Sequence, residues 1–251
     1  MQSKAASVGR PAIGVTYEGG DPALLERLVE VADYLEVAPD SIATGTGGDL
    51  RIRREILDEW RAAAEKVEIV AHGVGLSIGS ASGWNEAYLR LVDELADAVP
   101  FRWHSEHLGY TTVDGEPLGT MLSLPRTKEA LDLVCERVIR LQGMYPAPFL
   151  LENVARMLPD PDGDYDEAGF LNELCKRTGC GLILDVYNLE CDAHNHGLDI
   201  DRFLNELELG AVHELHVAGG TEVGGMKLDV HSRQAQSSTV ALAAQIGRAH
   251  V

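Results

Sequence analysis

The chain has 251 residues, 45% of them hydrophobic, enough for one (β/α)₈ barrel or for two smaller domains. Forty Asp and Glu against 21 Lys and Arg give a formal charge of −19, which opposes any general attraction to nucleic acid or to an anionic membrane surface. No apolar run reaches membrane-spanning length, no secretory signal is legible, and Cys135, Cys175, Cys180 and Cys191 show no C-x-x-C spacing, so a cytoplasmic, reduced protein is expected. Much of the acidity, as in Asp93, Glu94 and Asp97, has the spacing of a solvated helix face.

In chain order, short β-branched stretches alternate with longer amphipathic ones, the pattern of a parallel sheet wrapped by helices. Strands are predicted at Ala12–Thr16, Tyr34–Val37, Val67–Ala71, Phe101–Ser105, Pro148–Leu151, Leu182–Leu184 and Val212–Val217. Between them, helices are predicted at Pro22–Ala32, Arg51–Lys66, Trp84–Ala98, Lys128–Gln142, Glu167–Arg177 and Ile200–Leu207. Asp21, Thr127 and Asp199 stand as N-caps and Gly179 as a helix stop. Cys135 and Cys175 fall on apolar helix positions and read as packing, whereas Cys191 reads as a loop residue.

Residues 1–10 are expected to be flexible, 11–232 to form a single (β/α) barrel domain, and Leu158–Asp166 to be a surface excursion from it. After Ser232 no convincing eighth strand follows, and the barrel is expected to stop short of closure. The segment 233–251 is small, polar and nearly patternless. Its last six residues can be back-translated into a widely used sequencing adapter, so a non-native or disordered tail is expected and His250 is not read as a site.

Potential metal ligands recur just beyond successive strands: His72, His107, Glu152, Asp185 and His216. In a parallel barrel these positions open on one face, where such folds build active sites. Singly, each has a plainer reading, a satisfied polar group or a cap for the next helix. Five in register repel or pay desolvation unless a cation joins them. Asp229-Val230-His231 adds two more, on alternate residues of an extended segment. Imidazole and carboxylate without clustered thiolates argue for iron, manganese or catalytic zinc, and the surplus of ligands argues for more than one ion. Glu152 has two oxygens with which to bridge.

In order along the chain, His72-Gly-Val-Gly-Leu-Ser77, Ser105-Glu-His-Leu108, Leu151-Glu-Asn153, Leu184-Asp-Val-Tyr-Asn188, Asn195-His-Gly197, Glu214-Leu-His-Val-Ala-Gly219 and Asp229-Val-His231 resemble the motifs of the multinuclear non-heme iron-dependent oxidative enzymes. The resemblance covers about Gly14 to His231 and rests on the ordered set rather than on any single motif. It implies an α/β, TIM-type barrel of the xylose-isomerase-like type. It also implies two or three irons of mixed Fe2+/Fe3+ state, dioxygen as co-substrate, and oxidative modification of a ribosomally made precursor peptide, most often at cysteine. A separate peptide-recognition protein belongs to the same expectation.

By motif, His72, His107, Glu152, Asp185, His216, Asp229 and His231 are the implied metal ligands, with Asn153, Asn188 and His196 as further ligands or supporting groups of the catalytic centre. Glu106 and Glu214 are candidates for the supporting layer, while His104 and His213 read as structural.

Two departures stand out. The family's further helix and Glu-containing strand after the Asp-x-His segment are absent, and Asp40-Ser41 stands where an acidic residue followed by Asn is commoner. Two other readings of the same residues are a divalent-metal isomerase or phosphodiester hydrolase on the same barrel type, and a non-catalytic peptide-binding relic. The first would call for a Lys/Arg constellation near the motifs, which this acidic chain does not offer.

Overall fold

A computed structural model describes residues 10–46, 49–159 and 163–249. The expected flexible N-terminus, His250 and part of the Leu158–Asp166 loop lie largely outside these residues. The chain groups into two compact units, Met1–Leu76 with Asn85–Ser105, and Ser77–Trp84 with Glu106–Val251.

The first unit contains strands β1 (Gly14–Thr16), β2 (Tyr34–Val37), β5 (Glu68–Gly73) and the greater part of β6 (Phe101–His107), hydrogen-bonded in that order. Helices α1 (Pro22–Val31), α2 (Arg54–Ala64) and α3 (Glu86–Ala98) alternate with them, and a small antiparallel pair, β3 (Ala43–Thr44) and β4 (Arg51–Ile52), precedes α2. Strand β2 is buried at every position, as expected of a parallel strand covered on both faces. Leu35, Val37, Val70 and Ala71 form its core with the fully enclosed Trp60, whose ring packs 5.6 Å from that of Tyr17. Helix α2 begins three residues later than its periodicity predicts, because Arg51 and Ile52 pair with β3 instead.

The second unit holds β9 (Phe149–Glu152), β10 (Gly181–Asp185) and β11 (Val212–His216), paired in parallel, with α4 (Lys128–Met144), α5 (Glu167–Thr178) and α7 (Ile200–Glu206). Asp21, Thr127 and Asp199 each accept a backbone N–H at the start of α1, α4 and α7, and Gly179 ends α5 at a positive φ of 71°. Two hairpins are present as well: β7 (Gly109–Val113) with β8 (Glu116–Ser123), and β12 (Gly219–Val223) with β13 (Met226–Arg233).

Three features differ from the sequence reading. Residues 186–196 form helix α6 (Val186–His196), so Cys191 lies on a helix, fully buried, and not in a loop. Asp185 caps that helix and Gly197 ends it, signals masked by the polar run of His and Asn between them. The segment expected as a disordered or non-native tail carries α8 (Ser237–Ala249). It is held by buried Ile246 and by Thr239, whose hydroxyl donates to Glu190 at 2.7 Å. The hairpins escaped notice because their strands are exposed and carry Gly and polar residues in place of an apolar alternation.

Among the described residues seven strands of the barrel pattern are present, four and three in the two units, and an eighth is not. No described helix is long and apolar enough to cross a membrane.

Candidate metal centre

Glu152, Asp185 and His216 are the last residues of β9, β10 and β11, and His107 is the last of β6. Glu152 lies opposite Ile183, and Asp185 lies opposite His216. Because side chains alternate along a strand, Glu152, Ile183, Asp185, Glu214 and His216 share one face. His216 reaches that face through an irregularity. Leu182 pairs with Val212 but Ile183 pairs with Glu214, so His213 is an extra residue in β11. Without this bulge Asp185 would stand opposite Leu215, and His216 would turn to the other side. Gly181 makes room for the bulge: a Cβ there would fall 2.3 Å from the His213 ring and 2.4 Å from Leu150.

Two groups of side chains result. In the first, Glu152 is 1% exposed, with His216 Nδ1 3.0 Å from its Oε1 and His107 Nε2 3.2 Å from its Oε2. Glu214 Oε1 lies 3.9 Å from His216 Nε2, so it joins this group and is not turned away. In the second, His231 Nε2 lies 2.9 Å from Asp229 Oδ1 and 3.4 Å from Asp185 Oδ2. Contact with the two carboxylates raises the His231 pKa to about 10, so without a metal the ring is cationic and balances both acids. Burial raises the pKa of Asp185, His231 opposes that shift, and the charge of Glu152 adds to it, which ties the two groups electrostatically.

Asp229 and His231 do meet, but not by simple alternation in an extended strand. Gly219 pairs with Arg233 and Thr221 with Leu228, so residues 229–232 bulge out of β13 opposite Gly220 alone, and His231 takes a left-handed φ of 43°. That conformation is costly for a residue with a Cβ, and such strain concentrates where geometry serves a site.

The asparagines divide. Asn153 Nδ2 donates to the Asp185 carbonyl at 3.2 Å while its Oδ1 accepts the Asp185 N–H at 2.8 Å, so both amide heteroatoms are committed to backbone. Asn188 Nδ2 donates to the Asn153 carbonyl at 2.9 Å, and its backbone N–H donates to Asp185 Oδ1 at 2.6 Å. Among the described residues, Asn188 Oδ1 is a buried oxygen that makes no hydrogen bond, and the buried Asp185 Oδ2 and Asp229 Oδ1 share the one His231 Nε2 between them. Buried oxygens of this kind call for a cation or a donor. An iron or other borderline divalent ion fits the set, which offers imidazole nitrogen and carboxylate or amide oxygen. Cys191 does not add a thiolate, since burial, followed by the charges of Asp229, Asp192 and Asp185, raises its pKa to about 12.

His196 stands apart. It ends α6, and eleven residues at a rise of ~1.5 Å place it about 16 Å along the axis from Asp185. Its Nε2 bonds the Arg156 carbonyl at 2.9 Å, beside a 390 Å³ cavity lined in part by Arg126, Arg202 and Phe203.

His72 lies in the first unit, one residue before the end of β5. Ser105 donates its hydroxyl to the Ala71 carbonyl, so His72 Nδ1–H donates to Ser105 Oγ at 3.0 Å, and the ring keeps its lone pair on Nε2. His213, read as structural, has its part through the bulge; the one signal for it is the small Gly181 facing it across the sheet. His104 is buried in β6 of the first unit, and Glu106 is buried at the start of the second.

A family model for RiPP precursor modification enzyme MbnB/TglH/ChrH matches residues 13–250. This chain belongs to that family. As a member of the MbnB/TglH/ChrH family it is a modification enzyme of ribosomally made precursor peptides. UPF0276 relatives include one from Caulobacter vibrioides, 34% identical over 220 residues, which span 88% of this chain and 76% of the relative. Another, from Chromobacterium violaceum, is 38% identical over 204 residues, 80% of this chain and 70% of the relative.

Among solved structures, D-psicose 3-epimerase from Clostridium cellulolyticum H10 is similar with a TM-score of 0.58 at 14% identity, covering 94% of this chain and 82% of that one. The 3-keto-D-glucoside 4-epimerase YcjR from E. coli is similar with a TM-score of 0.54 at 13% identity, covering 95% and 89%. At such identities the likeness speaks for fold alone. The MbnB/TglH/ChrH chain thus has the xylose-isomerase-like, TIM-type (β/α) pattern that its sequence predicts.

Proposed function

We propose that this chain oxidises its precursor peptide at cysteine residues, with iron and dioxygen, at the centre built around Glu152 and Asp185. The observation that carries the reading is that the buried oxygens Asp185 Oδ2 and Asp229 Oδ1 share one imidazole, with the buried Asn188 Oδ1 making no hydrogen bond, in the same unit as a carboxylate that has an imidazole on each oxygen. Glu152, His107 and His216 would hold one ion and Asp185, Asp229 and His231 another, with Asn188 Oδ1 as a further donor. His72 is retained as a ligand on its motif and its tautomer. When bound, iron supplies the redox capacity that no side chain has, and a soft thiolate is a natural donor to it.

The protein's own part is geometry. Asn153 fixes the peptide unit of Asp185, the His213 bulge aims His216, and the β13 bulge brings His231 between two acids. To coordinate, His231 would have to be the neutral imidazole, giving up the proton that otherwise balances Asp185 and Asp229.

The test is metal content. The full chain, prepared anaerobically with ferrous iron and desalted, should retain more than one iron per chain, and Glu152→Ala and Asp185→Ala should each lower that ratio. Unchanged iron in both variants would refute the centre. Oxygen uptake that depends on a cysteine-containing precursor peptide, and is absent with a Cys→Ser peptide, tests the reaction.

A further inference from the structure

We propose that Asn195 is a positioning residue for the metal centre, acting through the backbone of Lys227. The inference rests on the assignment of Asp229 and His231 as ligands. Asn195 lies in the last turn of α6, well removed along the helix from Asp185 at its start. Its Nδ2 donates to the Lys227 carbonyl at 2.8 Å, and its Oδ1 accepts the Lys227 N–H at 2.9 Å. One side-chain amide thus satisfies both polar groups of a β13 residue on the edge away from β12, as a neighbouring strand would. Lys227 stands two residues before Asp229, with only Leu228 between it and the stretch 229–232 that leaves the ladder.

The other side of that bulge is gripped by the same helix. Gly220, the residue opposite the bulge, packs so closely that a Cβ would fall 2.1 Å from the Leu228 carbonyl oxygen and 2.6 Å from the ring of Tyr187 on α6. Helix α6 therefore begins with Asp185 in the centre and ends by fixing the hairpin that brings Asp229 and His231 to it. A bulge with a left-handed His231 has little ladder of its own to define its shape, so the Asn195 amide sets where it starts. Asn153 does for Asp185 what Asn195 does for Lys227, one two-point amide for each half of the second ligand group.

The experiment compares wild type, Asn195→Ala, Lys227→Pro and Asp229→Asn in the full chain. Each is reconstituted anaerobically with ferrous iron and read for iron per chain and for amide exchange across residues 219–233 and across β10. Lys227→Pro removes the same N–H from the hairpin side, so the clamp is tested from both partners. Asn195→Ala and Lys227→Pro should both fall to the iron content of Asp229→Asn, with faster exchange in the hairpin and protected exchange in β10. A purely structural contact would speed exchange and leave iron at the wild-type level, and that result in either variant overturns the proposal. Full iron in Asp229→Asn would instead take down the ligand assignment on which the clamp rests.

Discussion

Asn153 grips the backbone of Asp185 at both polar groups, accepting its N–H at 2.8 Å and donating to its carbonyl at 3.2 Å. Both residues are at most 5% exposed, so water cannot replace these bonds. Asn153→Ala strands a buried donor and a buried acceptor and should cost about 1–3 kcal/mol of stability. It should also lower iron retention, whereas Asn153→Asp, which keeps only the acceptor, should fall between. Equal denaturant midpoints for wild type and the alanine variant would contradict this.

Gly181 faces the bulged His213 with no room for a methyl group. Gly181→Ala should cost about 1–3 kcal/mol through overpacking. Deleting His213 should spare the centre: Leu182 already pairs with Val212 and Ile183 with Glu214, so removing the extra residue leaves a regular ladder with Glu214 and His216 on the same face. Iron content near the wild-type level, with secondary structure retained by circular dichroism, is the expected outcome of the deletion; a loss of iron would show that the bulge itself, beyond register, shapes the site.

Cys191 is buried, and its thiol is pushed up to about 12, first by burial and then by the neighbouring acids. At pH 8 only about one molecule in ten thousand carries the thiolate, which is the reactive form. In the metal-free folded protein Cys191 should resist alkylation for as long as the fold lasts and react on denaturation. The raised value also means that the neutral thiol favours the folded state fully below the ordinary thiol range, and that this contribution is lost as pH climbs toward 12. Mass spectrometry of iodoacetamide-treated native protein checks the site.

Helix α8 should contribute to stability. Ending the chain at Ala235 exposes the pocket of Ile246, worth about 1.5–3 kcal/mol, and removes the Thr239 hydroxyl from Glu190. The truncated chain should melt several degrees lower; an unchanged melting temperature would show α8 to be loosely attached.

The parallel strands were legible because their cores are continuous apolar runs, and each of the seven is found within two residues of where the pattern puts it. The ends of those strands pointed to Glu152, Asp185 and His216 for the same reason. What stayed hidden depends on backbone irregularity. Period-two reasoning has no means of locating the extra residue at His213 or the bulge of 229–232, although both decide where ligands point. Helix α6 was missed because its polar face is spent on hairpin and caps. Within Asn195-His196 the titratable residue drew the reading, yet it is the amide of Asn195 that, with His194 at the Gly225 carbonyl, bonds α6 to the hairpin.

Asp185 divides its carboxylate between two duties, Oδ1 starting helix α6 at the Asn188 N–H and Oδ2 left for the centre. An asparagine at this position could keep the oxygen that starts the helix while presenting an amino group, which no metal accepts, to the centre. Asp185→Asn should therefore yield a well-folded pseudoenzyme, and a relative carrying Asn here would have kept the scaffold after giving up the chemistry.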